Sequence, residues 1–269
     1  MPQSNQSEPV SSVLKVFTIL QALGERGAIG VSELAQSLMM SKATTYRFLQ
    51  TMKSLGYVDQ IGESDKYSLT LKLFELGSTA LEQVDLIALA DQEMRLIAEK
   101  TNEAVHLGVM DKDAIVYVHK IDSGYNLRMY SRVGKRNPLY CTAIGKVLLS
   151  GRADSWVMER MASVDFVQYT EQTLANTEQL LQELASVRQQ HFAQDNEEQE
   201  MGIRCLAVPI FDRFGHIVAS MSMSFPTIRF RDERLHEFIH LLHQASKMVS
   251  LKMGWADYPN VPASTSTNS

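Results

Sequence analysis

A chain of 269 residues, 45% hydrophobic and 21% charged, is long for one core and suits two domains of an ordinary soluble protein. Its 26 Lys and Arg against 31 Asp and Glu leave a net charge of −5, which excludes a general nucleic-acid coat and confines any such contact to a local patch. No apolar run approaches the roughly 20 residues of a membrane span, and the polar start MPQSNQSEPV has no secretory hydrophobic segment. Cys141 and Cys205 form no CxxC pair and no disulfide framework, so a reducing cytoplasm is expected.

Residues 1–10 are polar and read as a disordered tail. Ser11 and Ser12 are candidate caps for a helix with apolar residues at Val13, Val16, Phe17, Leu20 and Leu23, and GERGAIG ends it. Ser32 is expected to cap a short helix through Leu34, Ala35 and Leu38, and Ser41 a third helix. Tyr57-Val58 and Lys66–Leu69 flank a GESD turn and read as a hairpin. Three short helices and a hairpin, over 11–73, predict a winged helix-turn-helix.

The third helix lies in SKATTYRFLQTMKSLGYV, whose only charges, Lys42, Arg47 and Lys53, are positive. At about 100° per residue, Phe48, Leu49, Met52 and Leu55 share one face, with Thr44 and Thr45 at its margins. Lys42, Ala43, Tyr46, Arg47, Gln50 and Lys53 point the other way, and no carboxylate lies between Glu33 and Asp59. A polar solvated face has the same composition; the preceding helix, tight turn and hairpin favour DNA, because cations meet phosphates best without acidic neighbours. Ser41, Lys42, Thr44 and the wing residue Lys66 are expected on phosphate, and Thr45, Tyr46, Arg47 and Gln50 at base edges.

Residues 74–96 read as a helical linker inside the helix-forming stretch 70–100, broken at Gly77, with Leu71, Leu73, Phe74, Leu76, Leu81, Leu86, Ile87 and Leu89 as its apolar residues. It would dimerise, pass a signal, or merely pack. From 97 to 256 the pattern changes. Ala104–Met110 and Ala114–Ile121 read as strands joined by DKD, Asn126–Arg132 as a further strand, and Thr142 as the cap of a helix in CTAIGKVLLS. LANTEQLLQELASVRQQ is a second helix, Ile203–Phe211 and His216–Phe225 an antiparallel pair, and RDERLHEFIHLLHQASKMVSLKM a long amphipathic helix. The fold class expected is α+β, a sensor domain behind a DNA-binding one; residues 257–269 read as a second disordered tail.

In the sensor half, the helix capped by Thr142 has free N–H groups at its start, as any helix does. Ser222 and Ser224, two apart on a strand, share a face, as a water-wetted edge strand also would. Glu197, Glu198 and Glu200 in DNEEQE read as a solvated loop, Cys205 as a buried inert thiol, and Arg128 as a surface arginine or an anion partner. His236, His240 and His243 lie on one helix face without a fourth ligand, so no metal is expected.

Several blocks, in order, are specific enough to place the sequence: SVLKVFTILQALGE, VSELAQSL, SKATTYRFLQTMKSLGYV and KYSLTLKLFELG, then TAIGKVLL, DNEEQEMGIRCLAVPIFDRFG and SMSFP. Together they resemble the IclR family of bacterial transcription regulators over 11–254. IVYVHKIDSGYNLRMYSRVGKRNPLY and GIRCLAVPIFDRFG resemble its branch of pectin-degradation repressors, whose effector is 2-keto-3-deoxygluconate. Cys141 departs from that pattern, standing where relatives carry a serine. The resemblance implies a GAF-like effector domain, dimers joining into tetramers, no cofactor, and a small keto-acid effector. It also implies ligand contacts at Ala143, Ile144, Asp195, Cys205, Ser222 and Ser224, with Met129 and Ile203 as apolar walls. The expected function is a repressor of sugar-acid catabolic genes, binding double-stranded operator DNA and released by the effector. Rival expectations are a regulator, perhaps an activator, of another pathway, and a GAF-type thiol reductase using the two cysteines; catalysis is not expected.

Overall fold

The computed structural model describes residues 10–73, 75–76, 85–127 and 131–259. Phe74, Gly77, Leu81, Arg128 and Met129, singled out above, lie outside the described residues, as do 1–9 and 260–269. The chain divides into two units, Met1–Gln83 and Val84–Ser269.

The first unit is a small helical core closed by a three-stranded sheet. Helix α1 spans Ser11–Arg26 and buries Ile19, Ala22 and Leu23. Ser11 and Ser12 do not cap it: Val10 is the capping position and makes no side-chain bond, so both serines sit in the first turn. Strand β1 (Ile29–Gly30) runs straight into α2 (Val31–Ser37), whose cap is Gly30, so Ser32 lies inside the helix. The cause is strand pairing: Ile29 and Gly30 pair with Tyr67 and Lys66, which fixes the chain before Ser32 is reached. Helix α3 (Lys42–Ser54) starts at Ser41, whose Oγ accepts the Thr44 N–H at 3.2 Å. Strands β2 (Val58–Gln60) and β3 (Lys66–Leu69) form the wing, in sheet order β1-β3-β2.

The second unit opens with α4 (Leu86–Thr101). Ala90, Met94 and Ile97 are buried in its core, so residues 86–96 of the expected linker pack as part of a structural helix. The six strands are β4 (Ala104–Asp111), β5 (Ala114–Ile121), β6 (Arg136–Pro138), β7 (Ala193–Asn196), β8 (Ile203–Phe211) and β9 (Ile217–Pro226). They form one antiparallel sheet, ordered β6-β5-β4-β9-β8-β7. The described ends of the strand expected at 126–132 belong to no strand; β6 pairs with β5 instead.

Helices cover both faces. On one face α4 and α8 (Leu235–Lys252) pack on Leu107, Val208, Met221 and Met223. On the other, α5 (Ala143–Ser150), α6 (Asp154–Met161) and α7 (Thr177–Gln190) pack on Ile115 and Ala207. Strand alternation does the sorting: in β9, Met221, Met223 and Phe225 enter the first core, while Ser220, Ser222 and Ser224 face the second side. β9 lies between β4 and β8, so these serines are not on a wetted edge; each is at most 3% exposed. Part of the expected C-terminal tail is packed too: Tyr258 is buried and its hydroxyl meets His243 Nδ1 at 2.9 Å.

Candidate nucleic-acid interface and ligand cavity

Helix α3 exposes Lys42, Ala43, Tyr46 and Arg47, and Lys66 is exposed on the wing. Ser41 Oγ donates to Thr44 Oγ1 at 2.8 Å, so these two hydroxyls brace the helix start. Gln50 is half-buried, its amide donating to the Tyr67 hydroxyl at 2.9 Å, which ties the helix to the wing. Lys53 is less open than its sequence neighbours suggest: it donates to Gln60 Oε1 at 3.3 Å and lies 3.9 Å from Asp59 on β2. Thr45 is a correction. It is fully buried, with Oγ1 donating to the Ser41 carbonyl at 3.1 Å, and this internal bond lets a hydroxyl enter the core. Thr45 therefore cannot meet a base edge. Leu55 is the reverse case, 53% exposed, because it ends the helix and leaves the buried face.

In the second unit a cavity forms where α5 begins, against β7, β8 and β9. Thr142, Ala143 and Ile144 line it from the helix start, and Asp195, Ile203, Cys205 and Ser222 from the sheet. Thr142 Oγ1 accepts the Gly145 N–H at 3.1 Å and donates to the Pro138 carbonyl at 2.8 Å, which fixes the first turn. The first-turn N–H groups of an α-helix have no acceptor within it, so this end suits an anion. Gly145 is obligatory: a Cβ there would lie 2.1 Å from the Leu139 carbonyl oxygen. The enclosed space is ≈ 10 Å³, room for about one water.

Asp195 is 3% exposed, with Oδ1 accepting the N–H groups of Glu198 at 2.8 Å and Gln199 at 3.4 Å. Burial, with Glu198 nearby, pushes its carboxyl up to about 7. Near neutrality it can therefore accept or donate a hydrogen bond. Ser224 does not line the cavity but stands behind Cys205, its Oγ 3.2 Å from the thiol sulfur and 3.4 Å from His106 Nδ1. Burial pushes both the Cys205 and Cys141 thiols up. Thiolate chemistry needs the opposite shift, so the geometry disfavours the thiol-reductase reading.

Glu198 is a second correction. It is 7% exposed, not solvated, because Lys146 from α5 meets its Oε1 at 2.6 Å. Glu197 is half-buried and accepts the Gly202 N–H at 2.7 Å; Glu200 is exposed, yet edges the cavity. Tyr117 and Gln199 also line it, and Gln199 donates to Asn137 Oδ1 at 3.0 Å. Sequence reading missed both, and also Lys146 and His106, the latter fully buried and held down to about 4 by burial. The only sequence signals were a lone lysine in the apolar octet AIGKVLLS and a lone histidine in AVHLGV. His236 is exposed while His243 is buried, so the three helix histidines do not converge.

Comparison with known proteins agrees with both units. The IclR helix-turn-helix domain matches residues 12–62, and the domain described as "Bacterial transcriptional regulator IclR C-terminal" matches 78–251. The HTH-type transcriptional regulator KdgR of Escherichia coli is 60% identical over 254 residues, covering 94% of this chain and 97% of that protein. The regulator of the same name from Dickeya chrysanthemi is 61% identical, covering 94% and 83%. Among solved structures, the C-terminal domain of the E. coli transcriptional regulator KdgR covers 64% of this chain and all of its own (100%), with 49% identity and a TM-score of 0.59. The Thermotoga maritima IclR structure covers 91% and 99%, with 32% identity and a TM-score of 0.61. A DNA-binding module of this type joined to a small-molecule effector domain is the architecture of a ligand-responsive regulator, and the chain belongs to the IclR family of bacterial transcriptional regulators.

Proposed function

We propose that this protein is a repressor of sugar-acid catabolic genes that leaves its operator when 2-keto-3-deoxygluconate, or a closely similar keto acid, enters the cavity at the start of α5. The observation that carries the reading is the pairing of opposite chemistries across one cavity: a helix N-terminus at Ala143-Ile144 and a buried Asp195. The helix end takes the carboxylate. Asp195 and Ser222 discriminate the hydroxylated end, with Ser224 acting from behind through Cys205, because buried polar groups left unpaired penalise the wrong ligand. The 60% identity to KdgR supports the pathway.

On DNA, α3 lies in the major groove with Tyr46, Arg47 and Gln50 toward base edges. Ser41, Lys42, Ala43, Thr44, Lys53 and Lys66 sit near the phosphates. One such module is small, so two copies read an imperfect palindrome. A homodimer, extended to a tetramer through the effector units, fits the exposed apolar residues of the first unit. Phe17, Leu55 and Leu76 are 61%, 53% and 59% exposed and border a groove of ≈ 360 Å³. The enclosed space of ≈ 10 Å³ cannot hold a six-carbon acid as it stands. Entry must part the lining, and that displacement is what favours the conformation that binds DNA poorly.

The test is an operator gel shift with rising ligand, alongside calorimetric titration with a panel of keto acids and sugar acids. Asp195→Ala should hold operator DNA as the unaltered protein does and should not release it. Release at the unaltered concentration would put the ligand elsewhere.

A further inference from the structure

Lys146 and Glu198 line no part of the cavity, yet they join its two ends. Lys146 sits one turn into α5, the helix whose start faces the cavity. Its ammonium, 1% exposed, lies 2.6 Å from Glu198 Oε1 and 3.3 Å from Glu183 Oε1 on α7. Glu198 in turn donates its backbone N–H to Asp195 Oδ1 at 2.8 Å. The loop it belongs to is fastened from a third direction, where the Thr170 hydroxyl donates to the Glu197 carbonyl at 2.6 Å. A continuous path therefore runs from the helix start, through one ion pair, to the carboxylate at the opposite end.

Such a pair is a poor device for stability alone. Two buried charges lose hydration, and an apolar pair of similar volume commonly serves a fold as well or better. Here the cost is not even fully offset, since Glu198 Oε2 is buried without a partner. What the pair does supply is a fixed length. An ammonium held between two carboxylates tolerates little sliding, whereas apolar side chains in contact tolerate much more.

We propose that Lys146 and Glu198 are positioning residues that set the distance between the α5 N-terminus and Asp195, and thereby the length of acid the cavity accepts. The proposal rests on the reading of this cavity as the effector site. A ligand bound at its carboxylate end meets Asp195 only if its hydroxyl lies at the matching distance, so a three-carbon keto acid makes the first contact and misses the second.

The test compares the full-length protein with Lys146→Met/Glu198→Leu, which removes both charges together and leaves no buried ion alone. Glu183→Gln is the control, since it removes a charge from the same lysine without touching the Asp195 loop. The double variant should melt cooperatively and keep its operator affinity. Amide hydrogen exchange at Gln199, whose N–H also meets Asp195 Oδ1, should speed up at least about tenfold, and 2-keto-3-deoxygluconate should bind at least about tenfold more weakly, the scale expected for a misplaced contact. The preference for that acid over pyruvate should shrink with it. Glu183→Gln should change neither exchange nor preference. Unchanged exchange, unchanged preference, or equal effects in the control would each overturn the proposal. If the unaltered protein binds no acid of the panel, the effector reading fails, and the exchange comparison still decides whether the pair holds the loop.

Discussion

Helices α3 and α5 treat the same side chain in opposite ways. Lys42 on α3 is exposed, whereas Lys146 on α5 is buried at 1% exposure between two carboxylates. The first arrangement costs the free protein almost nothing, because water solvates the charge until a phosphate replaces it. The second is rigid and sensitive, because a cation out of water depends on its partners. A surface that meets a large anion can wait with mobile charges; a cavity with the proposed task of telling one small acid from another needs charges that do not move. On the proposed function, the two helices divide affinity from discrimination.

The contrast is sharpest if Lys146 is cut alone. Lys146→Met leaves the Glu198 carboxylate buried without its cation and should cost about 3–5 kcal/mol, lowering the melting temperature of the second unit by roughly 10 °C. Calorimetry of the full-length protein measures it; an unmoved transition would mean the ammonium reaches water after all. Next in size is the pH response of Asp195. Its folded-state carboxyl holds its proton to about 7 against an ordinary value of 3.8, so the unfolded chain gives up that proton first. Stability from this group is greatest at acid pH and falls as pH rises across that window, by roughly 1.4 kcal/mol per unit and up to about 4 kcal/mol in all. His106 and His243, both held down to about 4, act oppositely and lose stability below the ordinary histidine value of 6.5. The difference between the pH–stability curves of the unaltered protein and Asp195→Asn isolates the aspartate, and parallel curves would show that it ionises normally.

On α3 the effects should be smaller and fall on DNA. Arg47→Ala should weaken operator binding by about 1–3 kcal/mol if the guanidinium forks onto a guanine. The same loss on every DNA sequence would instead make Arg47 a phosphate contact. Smallest is Ser41→Ala, which removes the cap bond to the Thr44 N–H at 3.2 Å. It should cost about 1 kcal/mol in thermal stability, and a neutral result would mean water caps that end equally well.

What could be read from the sequence follows the range of the interactions. The presence of α3, the Ser41 and Thr142 caps and the β8–β9 pair depend on residues close along the chain, and they stand as expected. The Met/Ser alternation of β9 was legible too; which side was wet was not, because that depends on β4 and β8 flanking it. Thr45 and Leu55 were misjudged by a wheel that assumes uniform helix to the last residue and cannot see a hydroxyl satisfied by its own backbone. Glu198 was misjudged because its partner lies 52 residues away. A run such as DNEEQE reads as solvated until something distant supplies a cation.

Gly145 carries a consequence for how such a protein can change. Its absent side chain lets α5 rest on the Leu139 backbone, where a single added carbon would sit 2.1 Å from an oxygen. Mutation has no small step available there, so the end of the cavity proposed to hold a carboxylate is closed to drift. Gln199 and Glu200, at the other end, sit on a loop whose side chains can be exchanged without moving a helix. On the proposed reading of the cavity, a descendant of this gene could therefore acquire a new inducer by altering the loop alone, while remaining committed to acids.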